Sequence, residues 1–253
     1  FTELNIDGYI IPKNDEFFSE YSEKDRLKTI TNFSGSAGYA IILKNKNYLF
    51  VDGRYTIQAQ IESGKYFKIV QYEKIINCKL FKNLKIGIDP KLFTSLQIKK
   101  FFSKYNSVEK IKINLIDRVF RNYTIKKKPF FSIKDEVIGE NYKKKINHVV
   151  NFLKKNKLKY IFISAPENVA WLLNIRGKDN PNSPIPNCHL FLDNRKNFFL
   201  ISDKSKNYKL IKDKKVKSSQ IVEPNNFKNF IELFTSGKIA IDTKSCSLFY
   251  EEI

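Results

Sequence analysis

The chain of 253 residues has no Met, three Cys (Cys78, Cys188 and Cys246), two His (His148 and His189) and six Arg among its 46 basic residues. An odd cysteine count with no CxxC spacing excludes a disulfide framework, points to a reducing compartment and leaves the three as buried or half-buried thiols. No apolar run approaches the roughly 20 residues that a membrane helix needs. Phe1 onward shows neither a basic stretch followed by an apolar one nor a cleavage site, so the expectation is a soluble, cytoplasmic protein without membrane contact. Without secretion, the sequons Asn32-Phe33-Ser34 and Asn122-Tyr123-Thr124 carry no meaning. The missing initiator is expected of a piece of a longer polypeptide; the alternative, methionine positions lost from the sequence, would shorten some spacings by a residue.

The scarcity of His bears on catalysis. Hydrolytic metal sites gather several His, Asp or Glu at about 2 Å from the ion, often as HExxH or as paired carboxylates with a downstream His. His148 falls on the polar side of a Lys-rich helix and His189 opens an apolar run, so each reads as a solvated or satisfied histidine. No GxSxG elbow, P-loop or GxGxxG occurs, and no nucleophile, base and orienter form a set. No catalytic, cofactor-binding or metal-ligating residue is therefore assigned.

The net charge of +20 raises a nucleic-acid reading, since counterion release rewards clustered basic residues. The scarcity of Arg, whose planar fork reads phosphates and guanines, argues against it. Beside the Lys excess stand 25 Asn, a balance that resembles drift toward AT-rich codons more than a selected patch.

What is present is a globular chain, 42% apolar and 14% aromatic, long enough for two domains that each bury a core. Short runs rich in Ile, Val, Phe and Tyr alternate with stretches of helical period, which predicts an α/β fold. Strands are expected over 8–11, 39–43, 48–51, 67–71 and 85–88, and helices over 25–31, 55–63 and 92–105. In the last, Leu92, Leu96, Phe101 and Phe102 are expected to share a buried face. Lys44 to Asn47 reads as a hairpin turn. A helix from Asn141 would bury Ile146, Val149, Val150 and Leu153 and turn its lysines between 143 and 157 to water. The layout then repeats: Tyr9-Ile10-Ile11 is echoed by Tyr160-Ile161-Phe162, Leu49-Phe50-Val51 by Phe199-Leu200-Ile201, and Ile86 to Asp89 by Ile239 to Asp242. Two tandem copies of one α/β module are expected, 1–125 and 126–253, divided near Lys126-Lys127-Lys128-Pro129, with the second cut short.

Three segments are more specific than a generic core. Phe33 to Gly38 puts small residues before a strand, either a tight turn or a phosphate nest. Asp52-Gly53-Arg54-Tyr55 ends a strand and opens a helical stretch; Asp52 would cap it, with Arg54 and Tyr55 at the strand's carboxyl end, either as contacts or in an Asp–Arg bridge. Trp171 to Gly177 holds the only Trp and leads into a loop with Pro181, Pro184 and Pro186, a stiff cleft wall or a surface crossover.

Five segments in one order, Ser19-Glu20-Tyr21, Asp25-Arg26, Phe33 to Gly38, Asp52 to Tyr55 with Gln58-Ala59, and Glu167 to Gly177 with Asp179, resemble the amino-terminal part of three-domain Xaa-Pro aminopeptidases. The resemblance implies two creatinase/prolidase N-terminal-type domains, each a mixed sheet flanked by helices and distantly ribonuclease-H-like in topology, followed by a pita-bread catalytic domain that is absent here. That domain would hold two divalent metals, usually manganese, on two Asp, one His and two Glu, where a bridging hydroxide attacks the bond before proline. None of these ligands maps onto this chain, so this part alone is expected to be inactive and to need no cofactor. It would cover the catalytic mouth, limit substrate size and support assembly, with its own catalytic domain, peptides carrying proline second, and a second copy as partners. Arg54 and Tyr55 are the expected rim residues, and Asn174, Arg176 and Asp179 the expected substrate-entrance loop. The alternatives are a basic ribonuclease-H-like module for nucleic acid, and the N-terminal region of a prolidase or creatinase relative, which carries a single module.

Overall fold

The structure is a computed structural model that describes residues 1–76, 82–102, 106–120, 127–234 and 236–253. Cys78, the second sequon, the end of the 92–105 helix and Lys126 lie outside the described residues. The chain forms two compact units, Phe1–Thr124 with Ser247–Phe249, and Ile125–Cys246 with Tyr250–Ile253.

Unit 1 contains β1 (Gly8–Pro12), α1 (Arg26–Thr31), β2 (Gly38–Leu43), β3 (Asn47–Val51), α2 (Thr56–Ser63), β4 (Lys68–Gln71), β5 (Lys85–Ile88), α3 (Ser95–Phe102), β6 (Ser107–Lys110) and α4 (Leu115–Val119). Its six strands lie in the order β4-β3-β2-β1-β5-β6. The β2 strand pairs antiparallel with both β1 and β3, whereas β4, β5 and β6 join parallel to their neighbours. As the sequence predicts, the β2–β3 hairpin closes at Lys44–Asn47, with Leu43 N bonded to Lys46 O at 3.0 Å.

One sheet face packs Ile10, Ile41, Phe50 and Ile88 against Phe101 and Phe102 of α3; the other packs Tyr9, Ile11 and Leu49 against Leu27, Ile111 and Ile116. Leu96 is 44% exposed and off this face, contrary to expectation. The helix starts at Ser95, capped reciprocally by Thr94 and Gln97, and positions 98, 101 and 102 then point inward. Beside β1, the Arg26 guanidinium is buried and holds Asp117 through two 2.9 Å bonds and Glu16 through a third contact.

Unit 2 contains β7 (Phe131–Ser132), α5 (Tyr142–Lys155), β8 (Tyr160–Ile163), α6 (Pro166–Leu173), β9 (Ile175–Arg176), β10 (His189–Asp193), β11 (Phe198–Ile201), α7 (Tyr208–Lys212), β12 (Ile221–Val222), α8 (Phe227–Ile231) and β13 (Ile239–Ile241), before α9 (Leu248–Glu251). Its main sheet runs β12-β11-β10-β8-β13, while β7 and β9 form a separate ribbon. Its five strands repeat β4-β3-β2-β1-β5 of unit 1: two antiparallel pairs at the centre, a parallel strand at either side. The register corrects the sequence echo. Ile10 opposes Ile41 as Phe162 opposes Phe191, and both pairs lie on the face covered by the helix that follows the returning strand. Ile10 therefore matches Phe162, not Ile161, one residue off the echoed triplets. Apolar triplets carry no face information, and a slip of one residue turns every side chain over.

Candidate functional site

In unit 1 the sequence singles out the corner after β3. Asp52 caps a 3-10 turn over Gly53–Tyr55, accepting from Arg54 N at 3.0 Å. The Arg54 guanidinium folds back on the same carboxylate, Nε to Oδ1 2.9 Å, and its side chain is 76% exposed. This hydrogen bonding holds the Asp52 carboxyl below its ordinary range. Tyr55 is half-buried, its hydroxyl 2.9 Å from Ser36 Oγ and its ring edge-on to Phe33 at 5.8 Å.

The small residues of 33–38 have a packing cause. A Cβ on Gly35 would lie 2.2 Å from the Phe33 ring, and one on Gly38 would lie 2.9 Å from Phe50 O. Ser34 donates from N and Oγ to Glu62, whose carboxylate also takes Gln58 Nε2. The segment is thus a pinned turn into β2. Next to it a cleft of about 380 Å³ opens at the ends of β1, β2 and β3, lined by Lys13, Phe18, Glu20, Tyr39 and Asp52.

In unit 2 the expected entrance loop starts where α6 stops. Asn174 adopts the left-handed conformation (φ 53°, ψ 46°) that Asn tolerates at a helix end. Its side chain is buried, donating to Glu140 O at 2.9 Å and accepting from Lys145 Nζ at 2.7 Å. Lys145 also donates to Trp171 O at 2.8 Å and sits 4.3 Å from the Trp171 ring centroid. It is 6% exposed, against the expectation that the lysines of this helix face water, and burial holds its amine below the usual lysine range. Sequence reading missed it because one buried cation inside a Lys-rich stretch looks like its neighbours; its position one turn before Val149 is the signal that was there.

Arg176 lies on β9 and donates from Nη1 to Ala170 O and Ile175 O, at 3.2 and 2.9 Å. Gly177 has no alternative: a Cβ there would lie 2.6 Å from Pro186 Cα. Asp179 is enclosed, one oxygen on Lys206 Nζ and the other on Asn187 N, each at 2.7 Å. Asn174 thus fixes the helix end from which the Pro-rich loop departs, Asp179 ties the start of the loop to Asn187 at its far end, and the outer wall of the loop, with Pro181 and Pro184, lines a cleft of about 430 Å³.

His189 is buried, Nδ1 2.7 Å from Ser164 O, and desolvation lowers its pKa to about 4. His148 is exposed with Glu140 at 3.4 Å. Burial raises the thiol of Cys188 and pushes that of Cys246 up to about 12, so neither is a thiolate at neutral pH. Among the described residues no group of three or more His, Cys, Asp or Glu is placed to hold a metal, and no helix is long and apolar enough to cross a membrane.

Family models of the creatinase/prolidase N-terminal domain match residues 1–119 and 121–253. A probable Xaa-Pro aminopeptidase P of Coprinopsis cinerea is 30% identical over 197 residues, 72% of this chain and 32% of that protein. Xaa-Pro aminopeptidase 1 of Dictyostelium discoideum is 31% identical over 218 residues, 77% of this chain and 35% of that protein. The chain spans about a third of the length of the relatives it matches. The solved structure of an X-prolyl aminopeptidase from Caenorhabditis elegans, described as a cytosolic enzyme with a dinuclear active site, shares the fold at a TM-score of 0.81 and 24% identity. The match covers 91% of this chain and 40% of that one.

Proposed function

The chain belongs to the creatinase/prolidase N-terminal domain family, with two such domains in tandem, and on that premise we propose that it is the non-catalytic N-terminal part of an Xaa-Pro aminopeptidase. The observation that carries this reading is the tiling of the chain by two family domains, together with relatives that are Xaa-Pro aminopeptidases of which the match covers about a third. A single-module prolidase or creatinase arrangement would leave one of the two matches unexplained.

In this reading hydrolysis before proline belongs to a downstream domain with two divalent metals, manganese by the family resemblance, and this part alone is inactive. The donor chemistry of the described residues does not fit a dinuclear centre: the His189 imidazole is enclosed and engaged with Ser164 O, and His148 stands in solvent beside one carboxylate. No step of the reaction is assigned to them. The two modules cover the mouth of the catalytic domain, admit short peptides with proline second, and support a cytoplasmic homodimer.

Arg54 is the residue best presented for such a role, an exposed cation folded back on Asp52 at the carboxyl end of β3, with Tyr55 fixing the turn beneath it. Arg176 stands at the root of the entrance loop, which Asn174 and Asp179 stiffen from inside. In the longer protein, Arg54→Ala and Arg176→Ala are expected to lower Xaa-Pro peptide turnover while the bound metal content stays the same. Unchanged steady-state kinetics in both variants removes the assignment, and robust Xaa-Pro cleavage by the pure 253-residue chain removes the division of labour.

A further inference from the structure

The Pro-rich loop after β9 sorts its charges. Asp179, the only carboxylate between Arg176 and His189, is turned inward, its side chain 3% exposed and its oxygens taken by Lys206 Nζ and Asn187 N. Its neighbour Lys178 is exposed. One step along the chain thus puts the acid inside and the base outside.

The cleft of about 430 Å³ on the outer wall shows the consequence. Lys128, Phe131, Lys178, Asn182 and Ser183 line it, and none of its lining residues is a carboxylate. An excess of Lys does not by itself give that. The 380 Å³ cleft of unit 1 has Glu20 and Asp52 beside Lys13, and a cleft of about 250 Å³ beside Trp171 has Asp242.

Two cations behind the loop add to its charge. Arg176 stands opposite Phe131 in the β7–β9 ribbon, and its guanidinium meets Ala170 O and Ile175 O. Lys145 is buried against Trp171 O, Asn174 Oδ1 and the Trp171 ring. Among the described residues neither forms an ion pair, and Glu140 acts on Lys145 only through space. Ala170 O and Trp171 O belong to the last turn of α6, where the helix dipole favours a cation but cancels only part of its charge. Charges taken out of water are screened less than surface ones, so part of their field reaches the loop.

The wall is also stiff. It contains Pro181 and Pro184, Asn180 Oδ1 accepts from Asn182 N at 3.0 Å, and Gly177 N donates to Pro184 O at 3.0 Å. A ligand finds its donors already in place, with little chain entropy left to lose.

Resting on the reading that the chain is part of an Xaa-Pro aminopeptidase, we infer that this cleft receives a carboxylate of the incoming peptide and so favours peptides with a negative charge beyond the proline. The Lys178 ammonium is the charged contact, the Asn182 amide and the Ser183 hydroxyl are neutral donors, and Phe131 takes the apolar part of the peptide. Lys145 and Arg176 supply field rather than contact.

Two measurements with Ala-Pro-Asp-amide and Ala-Pro-Lys-amide test this. In the 253-residue chain, the backbone amide NMR signals of Asn182 and Ser183 should move with the acidic peptide and stay still with the basic one, and Lys178→Glu should abolish the movement. Movement with both peptides, or with neither, overturns the inference. In the longer protein, kcat/KM should favour the acidic peptide, the preference should shrink as salt is raised, and Lys178→Glu should lower it by about fivefold, mostly through KM. The parent's preference unchanged in a Lys178→Glu variant that still cleaves both peptides overturns the inference and leaves the functional reading standing. Ala-Pro-Ala behaving like the acidic peptide while its amide does not supports the inference with the carboxylate at the peptide's own end. Absence of Xaa-Pro cleavage by the longer parent protein strikes the functional reading instead, and the Asn182 and Ser183 signals then decide the cleft.

Discussion

Acidification from pH 7 to pH 5 should weaken unit 2 through His189. Its Nδ1 must carry the proton, because the Ser164 carbonyl oxygen at 2.7 Å can only accept. The ring is packed against Tyr250 at 4.7 Å and Phe162 at 5.6 Å, so a second proton would place a cation among aromatic rings. Desolvation lowers the folded pKa to about 4 from 6.5. The unfolded chain therefore binds the proton first, and stability falls as pH drops from about 6.5 toward about 4. Linkage over that interval gives a loss of about 2 kcal/mol between pH 7 and pH 5. Urea unfolding followed by the fluorescence of Trp171, the single Trp and a unit 2 residue, measures it. His189→Gln should start less stable but lose about 2 kcal/mol less over the same interval, because it has no proton to take up there. Equal losses in the two proteins would refute the reasoning, as would an imidazole NMR signal of His189 that titrates near 6.5 in the folded chain.

Lys145→Met should cost unit 2 about 1–3 kcal/mol, read from the same urea transitions, since Asn174 Oδ1 and Trp171 O lose their buried donor. Gly177→Ala should lower the thermal midpoint through a clash with Pro186 worth about 1–3 kcal/mol, whereas Gly53→Ala, with nothing within 4 Å of the added methyl, should stay close to the parent.

Local signals in the sequence survive into the fold where one residue decides one feature. Asn141 caps α5, Asp25 caps α1, and Lys44–Asn47 turns the first hairpin, because each acts through its own neighbouring backbone. What the sequence hides is long-range. Leu96 looked like core because a helical period was started three residues too early, before the Thr94–Gln97 cap. Lys145 looked like solvent surface, since its partners Trp171 and Asn174 come from another helix. The repeat was visible as apolar triplets, but their register depends on which face each helix covers. Of the candidate site, Arg54 and the bridge to Asp52 were readable from adjacency, whereas the enclosure of Asp179 by Lys206 and Asn187 was not, because no local pattern ties those positions together.

The central place of β1 sets a timetable for synthesis. β1 joins β2 within a few dozen residues, yet its other side waits for β5, which ends at Ile88. At a ribosomal pace of about 5–20 residues per second, the nascent chain carries that unfinished side for roughly 4–15 s after Pro12 is made. Each repeat restarts the same clock, since β8 in turn waits for β13. Translation speed across the stretches before β5 and β13 thus becomes a determinant of yield, and holdase binding to emerging chains should concentrate there.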